Sequence, residues 1–118
     1  MDYKDILLDV YSLTDEIKST NEYKRLKSSY DNLCQNEETK VLIEKFNEDK
    51  LRYNENNSES IKRLSKSKKA LYSHPLYIEY SNALIEYNKM IKEIENKINK
   101  AIYKENVRKI AKSGCKND

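Results

Sequence analysis

The residues that could do chemistry in this chain are few and stand apart from one another. His74 is the only histidine and Pro75 the only proline, and they are neighbours in the segment SHPLYIEY, residues 73–80. A histidine that acts as a general base needs a reacting group and an orienting partner within reach, and the local sequence offers neither. Proline suits the first turn of a helix, because its φ is already helical and its missing N–H would have no partner there. We therefore interpret Ser73 or His74 as the cap of a helix that begins at Pro75.

The two cysteines, Cys34 and Cys115, are far apart and show neither CxxC nor CxxxH spacing. This spacing suggests neither a disulfide framework nor a zinc site. Cys34 lies at the edge of an apolar helix face and is interpreted as a small buried thiol. Cys115 could ligate an iron–sulfur cluster only in an oligomer that brings several copies together, and an inert thiol is the favoured interpretation. We predict no cofactor and no metal.

Motifs of the common enzyme classes are missing. A single glycine, Gly114, excludes a phosphate-binding P-loop and a dinucleotide-binding GxGxxG loop, which need several glycines. A single histidine excludes HExxH, and no serine lies in a nucleophile elbow. The acidic pair Glu37 and Glu38 fits the first turn of a helix, where the exposed N–H groups favour negative charge. We predict that the protein is not an enzyme.

The composition favours an all-α fold. The chain has 118 residues, of which 37% are hydrophobic and 36% charged, with a mean hydropathy of -1.00. One glycine and one proline leave almost no turn chemistry for a sheet. We predict a single helical domain over residues 1–112 and a flexible tail over residues 113–118. Because there is no signal peptide and no apolar run of about 20 residues, we expect a cytoplasmic protein that does not insert into a membrane.

Apolar residues recur at helical spacing in four segments before the last one. Ser19 or Thr20 is expected to cap the second helix, with Glu22 completing a capping box with Ser19. Asn36 is expected to cap the third helix, which we extend to about residue 54, and a polar loop leads to a fourth helix over residues 59–72. The apolar faces of the first three helices are Ile6, Val10, Leu13 and Ile17; Tyr23, Leu26, Tyr30 and Leu33; and Leu42, Ile43, Phe46 and Tyr53.

The last segment carries the strongest pattern. Apolar residues alternate steps of four and three, as in the seam of a coiled coil: Tyr80, Leu84, Tyr87, Ile91, Ile94, Ile98 and Ala101. A helix from Pro75 to about Lys112 would be roughly 57 Å long. We therefore predict a bundle of four to five helices whose long, coiled-coil-like C-terminal helix also packs on a second protomer. The alternative is a monomeric bundle whose last helix extends into solvent.

Charge is divided unevenly along the chain. Residues 1–59 hold 9 basic and 14 acidic residues, whereas residues 60–118 hold 14 basic and 6 acidic ones. This polarity could steer antiparallel self-association. Basic residues that could contact an anionic partner are Lys62, Arg63, Lys66, Lys100, Lys104 and Arg108. A solvated face is the favoured interpretation, and direct RNA binding is the alternative.

Two blocks of the chain resemble a known family. The segment LTDEIKSTNEYKRLKSSYDNLCQNEETKVLIEKF, residues 13–46, and the segment SHPLYIEYSNALIEYNKMIKEIENKINKAI, residues 73–102, are similar to the YlbF/YmcA family of small helical bacterial proteins, which includes YheA-type relatives. The likeness spans about residues 5–103 and is weakest over residues 54–72. It implies an all-helical, self-associating protein without enzymatic activity.

The resemblance also implies a role. Relatives in Gram-positive bacteria join a complex that modulates endoribonuclease Y and thereby mRNA processing, competence, sporulation and biofilm formation. Some relatives carry several C-terminal cysteines linked to iron–sulfur binding, whereas this sequence has only Cys115 there. We therefore expect a helical adaptor that forms homo-oligomers and contacts paralogous family members and endoribonuclease Y. A direct RNA-binding module and a purely structural protein are the alternatives.

Overall fold

A computed structural model describes the backbone of residues 2–113 and the side chains of residues 2–104. The described chain forms five helices and no strand, which confirms the predicted all-α class. The helices are α1 (Tyr3–Lys18), α2 (Asn21–Gln35), α3 (Glu37–Leu51), α4 (Ser58–Tyr72) and α5 (Pro75–Ser113). The predictions for the Arg108 and Cys115 side chains lie outside the described residues, as does the predicted tail over residues 113–118 except for Ser113, which is the last residue of α5.

Side-chain caps set the bounds of the early helices. Thr20 caps α2, because its Oγ1 accepts the backbone N–H of Tyr23 at 3.2 Å. Ser19 instead ends α1 and donates its hydroxyl to the carbonyl of Glu16 at 2.6 Å. The predicted capping box of Ser19 with Glu22 is therefore wrong. Asn36 caps α3 as predicted, since its Oδ1 accepts the N–H of Thr39 at 3.0 Å.

The turn between α3 and α4 is held by a serine. The Ser60 hydroxyl accepts the N–H of Asn54 and donates to the carbonyl of the same residue, both at 3.0 Å. The backbone of Asn54 is thereby taken out of the helix, which is why α3 ends at Leu51 rather than near the predicted residue 54. Asn57 caps α4 through Oδ1, which accepts the N–H groups of Glu59 and Ser60.

The helices pack as two antiparallel pairs. Helix α2 lies along the first half of α5, where Tyr23 faces Tyr87 with ring centroids 6.3 Å apart. Arg25 Nε lies 2.8 Å from Oε1 of Glu79 on the same side. Helices α3 and α4 form the second pair. The two pairs give an architecture in which α1 and the end of α5 stand apart from the main contacts.

A row of aromatic rings joins the two pairs. Phe46 meets Tyr72 at 5.9 Å, Tyr72 stacks on Tyr77 at 4.5 Å, Tyr77 meets Tyr80 at 6.2 Å, and Tyr80 meets Tyr30 at 5.8 Å. The row therefore crosses from α3 through α4 and α5 to α2. Aromatic pairs at these separations add about 0.5–1.5 kcal/mol each beyond the area that they bury.

The fold is elongated and its core is small. Leu33, Leu71 and Ala83 are the buried hydrophobic residues of the described chain. The radius of gyration is 22.4 Å, whereas a compact chain of this length has one of about 13 Å. The accessible surface is 9576 Å², against about 6,700 Å² for a compact monomer of this mass. The chain therefore folds with much of its apolar surface uncovered.

Candidate protein-interaction surface

Helix α1 presents a large apolar patch that its own chain does not cover. The helix buries no residue, and only Leu13, Thr14 and Ile17 near its end are half-buried. An isolated helix of this length is marginal in water, so burial of its exposed apolar side chains would stabilise α1. We define the α1 patch as the exposed residues Tyr3, Ile6, Leu7, Leu8, Val10 and Tyr11, whose exposed fractions run from 47% for Val10 to 71% for Tyr11.

The end of α5 presents a second apolar patch. Ala83, in the half of α5 that packs on α2, is only 1% exposed. Exposure rises to 47% at Ile98, 57% at Ile102 and 69% at Tyr103. These last three residues are the distal α5 patch. One helix thus passes from a packed half into a stretch, described up to Lys104, in which the apolar residues Ile98, Ile102 and Tyr103 are exposed.

The predicted interface residues divide between these two environments. Tyr80, Leu84 and Tyr87 are half-buried, and the two tyrosines contact Tyr30 and Tyr23 of the same chain. The first half of the predicted seam is therefore occupied within the chain. Ile91 and Ile94 are half-buried, and Ile98 is exposed. Contact of this seam with another molecule stays a prediction.

The sequence prediction did not include the α1 patch. It used Ile6 and Val10 as one apolar face and gave no role to Leu7, Leu8 and Tyr11. Apolar residues on more than one face are typical of a helix that contacts more than one neighbour. The width of the apolar surface around α1 was therefore the sequence signal that could have revealed the patch.

The two apolar patches carry opposite charge. Helix α1 holds four acids, Asp5, Asp9, Asp15 and Glu16, and two lysines, Lys4 and Lys18. Over residues 89–104, α5 holds five lysines, Lys89, Lys92, Lys97, Lys100 and Lys104, and two acids, Glu93 and Glu95. Opposite charge on two uncovered apolar helices favours their mutual contact in an assembly.

The basic residues proposed to contact an anionic partner are exposed where they are described. Lys62, Arg63 and Lys66 are exposed on α4, and Lys100 and Lys104 on α5. The ring of Tyr72 is the nearby aromatic group on which a nucleic-acid base would stack. However, Tyr72 already stacks on Tyr77 at 4.5 Å, and Lys68 Nζ lies 5.3 Å from its ring centroid. The main aromatic platform beside the α4 lysines is therefore occupied.

His74 is a structural cap, in agreement with its interpretation from sequence. Its Nδ1 accepts the backbone N–H of Leu76 at 3.1 Å, and its Nε2 lies 3.3 Å from Oε1 of Glu38. The side chain is 14% exposed. Nδ1 thus caps the start of α5, and Nε2 joins it to the start of α3.

Three tyrosine and ion-pair contacts shape the local electrostatics. The hydrogen bond between Arg25 and Glu79 lowers the pKa of the Glu79 carboxyl and raises the pKa of Arg25. Burial, followed by a hydrogen bond with Tyr72, raises the pKa of Tyr77 to about 12. A hydrogen bond with Cys34 raises the pKa of Tyr30, and Cys34 itself is half-buried rather than buried.

Two further properties belong to the described residues. Their His, Cys, Asp and Glu side chains form no group of three or more that could hold a metal ion. None of the described helices combines the length and the apolar character needed to span a bilayer.

Comparisons with known proteins place the chain in a family. The profile described as "Control of competence regulator ComK, YlbF/YmcA" matches residues 6–103. The fold is similar to that of Bacillus subtilis RicA, solved in complex with RicF, with a TM-score of 0.79 and 16% identity over 88% of this chain and 98% of that one. A search of curated proteins finds no match. Because the profile covers most of the chain, this protein belongs to the YlbF/YmcA family.

Proposed function

We propose that this protein is a non-catalytic regulatory adaptor that acts through helix-to-helix contacts with protein partners. The observation that carries the proposal is the uncovered apolar surface of α1 and of the end of α5. Nine large side chains, each between 47% and 71% exposed, offer on the order of 800 Å², which is what one partner buries in a stable interface. Membership of a family described by control of the competence regulator ComK supports a regulatory role.

The finer role follows the family resemblance. In this proposal the protein works in the cytoplasm with paralogous family members, and the assembly modulates mRNA processing that depends on endoribonuclease Y. Competence, sporulation and biofilm formation are the traits affected. The fold neighbour RicA was solved in complex with RicF, which supports a helical protein as the partner class.

Self-association is part of the proposal. A second copy could lay its acidic α1 patch on the basic distal α5 patch of the first, and a twofold axis would form this contact twice. Sedimentation at micromolar concentration tests it. We expect a species heavier than the 14.0 kDa chain, and a clean monomer would remove the homo-oligomer from the proposal.

Regulation is tested in the native cell by deletion of the gene and mapping of transcript ends. Complementation with the wild type should restore processing, and the double variant Leu7→Asp/Ile98→Asp should not, because it places a charge in each apolar patch. Val41→Asp is the matched control, since Val41 is also exposed, at 62%, but lies on α3. Unchanged transcripts in the deletion strain would contradict the RNA-processing role.

The exposed basic face of α4 supports a second candidate function, direct RNA binding. Phosphate contacts by Lys62, Arg63 and Lys66 would make the affinity fall steeply with salt. A labelled single-stranded RNA titrated at low and at high salt measures this. Absence of binding at low salt would eliminate the candidate.

A further inference from the structure

Helix α1 leaves the line of α2 at the turn formed by Ser19 and Thr20. The ψ angle of Thr20 is 154°, against about −42° in a helix, so the chain changes direction between the two helices. The Thr20 hydroxyl accepts the N–H of Tyr23 at 3.2 Å and donates to the carbonyl of Ile17 at 2.6 Å. The Ser19 hydroxyl donates to the carbonyl of Glu16, also at 2.6 Å. Side-chain hydrogen bonds therefore hold the direction of α1.

The pairing of α2 with α5 defines where a straight continuation of α2 would lie. Tyr23 faces Tyr87 and Tyr30 faces Tyr80, so a step forward on α2 is matched by an equal step back on α5. Continued beyond the start of α2, this antiparallel register sets Val10 level with Lys100. A helix in that position would lay the α1 patch along the distal α5 patch.

The place that such a helix would begin to fill is open. A depression of about 480 Å³ lies between the start of α2 and the middle of α5. Glu22 of α2 lines it together with residues of α5 between Glu86 and Asn96, and α1 contributes none of the described lining. Within the chain, α1 makes its main contacts with α2. The chain's own α1 therefore leaves the distal α5 patch exposed.

The α1 helix of a second copy fits the distal α5 patch in charge. In the antiparallel register, Asp9 lies within one residue of the level of Lys100. Asp5 lies within one residue of the level of Lys104. Opposite charges at the same levels favour this orientation of the two helices. A basic helix would instead be repelled by the lysines of α5.

The available area agrees with a reciprocal contact between two copies. The α1 patch and the distal α5 patch together offer on the order of 800 Å² in each chain. Two copies that each use both patches would bury about 1,600 Å², which is the standard size of a stable interface. Exchange of an identical element between two copies covers both patches at once.

We propose that α1 is an arm that two copies of the chain exchange. The α1 patch of each copy lies antiparallel on the distal α5 patch of the other, and the Ser19–Thr20 turn holds the arm away from its own chain. The proposal rests on the self-association in the proposed function, and it adds the segments that meet, their register and the turn that prevents closure. A short linker normally favours contact within one chain, so the turn directs α1 to the second copy.

Cysteine pairs in the full chain test the arm, in a background of Cys34→Ser and Cys115→Ser. Val10→Cys/Ile102→Cys places two thiols near the same level, whereas the control Val10→Cys/Lys89→Cys moves the second thiol roughly 20 Å back along α5. After treatment with a short bismaleimide at micromolar concentration, we expect the first pair, and not the control, to shift on a denaturing gel to twice the chain mass. A link within one chain, equal products with both pairs, or no link with the first pair overturns the exchange.

Variants of the turn test what holds the arm open. Ser19→Ala/Thr20→Ala removes both hydroxyls and favours one continuous helix, because alanine has the highest helix propensity. We expect the dimer dissociation constant to rise at least about tenfold and the link of the Val10→Cys/Ile102→Cys pair to move within one chain. Ser73→Ala is the matched control, since its hydroxyl also donates to a carbonyl of the preceding helix, at 2.7 Å, but in the turn before α5. An unchanged constant in Ser19→Ala/Thr20→Ala overturns the proposal.

Sedimentation of the wild type separates this proposal from the proposed function. A species that stays at 14.0 kDa overturns the exchange, while capture of partners from cells still tests the adaptor. A heavier species that gives no link with the Val10→Cys/Ile102→Cys pair overturns the exchange and leaves self-association standing. A heavier species that is linked between chains in this register supports both.

Discussion

Tyr87 of α5 faces Tyr23 of α2 with a centroid distance of 6.3 Å, so the first half of the long helix is occupied by its own chain. Beyond this pair the apolar residues of α5 become progressively exposed, up to Tyr103 at 69%. Folding of the chain therefore uses the first half of α5, and the proposed contact with partners uses the distal α5 patch. Variants in the two parts should have different effects.

Ile91→Asp and Ile98→Asp test this division. Ile91 is half-buried, so an aspartate there should lower the free energy of unfolding by roughly 1–3 kcal/mol and reduce helicity. Ile98 is exposed, so an aspartate there should change stability by no more than about 0.5 kcal/mol while weakening association at least about tenfold. Circular dichroism and sedimentation measure the two quantities. Equal effects of both variants on stability would contradict the division.

Ala83 marks the closest packing of α5 in the described chain, because it is only 1% exposed. Ala83→Leu should lower the free energy of unfolding by about 1–3 kcal/mol, since the added methylenes have no room. The matched control is Ala101→Leu on the exposed part of the same helix, which should stay within about 0.5 kcal/mol of the wild type. Urea unfolding measures the free energy of unfolding of both variants. If Ala83→Leu leaves it unchanged, this face of α5 does not belong to the core.

The cap formed by His74 predicts a graded pair of variants. His74→Ala removes the acceptor for the Leu76 N–H and the contact with Glu38, and should cost about 1 kcal/mol or more. His74→Asn keeps a capping acceptor and should recover most of that loss. Glu38→Gln alters only the contact between Glu38 and Nε2 of His74. Thermal unfolding ranks the three variants by melting temperature. Equal melting temperatures for His74→Ala and the wild type would mean that His74 is not a stabilising cap.

The Arg25–Glu79 pair predicts a pH dependence of stability. Arg25 holds the pKa of Glu79 below its ordinary value of 4.5 in the folded state. The pair therefore contributes its stability above that value and loses it as the pH falls through the lowered folded pKa. Melting temperatures measured from about pH 7 to about pH 3 should fall less in Glu79→Gln than in the wild type. Glu95→Gln, on an exposed part of α5, is the control and should follow the wild type.

The presence of the helices and most of their bounds could be predicted from the sequence, because a capping side chain lies close in sequence to the backbone group that it binds. Asn36 and Thr39 interact over three residues, so their pattern is visible in the chain. The choice between Ser19 and Thr20 could not be predicted, since both hydroxyls suit a cap and only the path of the backbone decides. The bound of α3 was wrong because the Ser60 hydroxyl that ends it comes from the next helix.

The interacting surfaces were harder to predict, because periodicity reveals an apolar face and not what covers it. Tyr80 and Tyr87 fit a seam between two copies as well as they fit α2. Asp49 shows the same difficulty for charge. Its spacing from Lys45 matches that of Asp31 from Lys27, and only the packing of α4 makes one carboxylate buried and the other exposed.

The most direct measurement of the adaptor function is quantitative capture of partners from native cells. The wild type, Leu7→Asp/Ile98→Asp and Val41→Asp serve as baits, each first checked for helicity by circular dichroism. We predict that the wild type and Val41→Asp retain a helical family relative or a ribonuclease, and that the double variant loses it. Equal recovery with all three baits, or recovery of no partner with the wild type, would contradict an adaptor that acts through α1 and the end of α5.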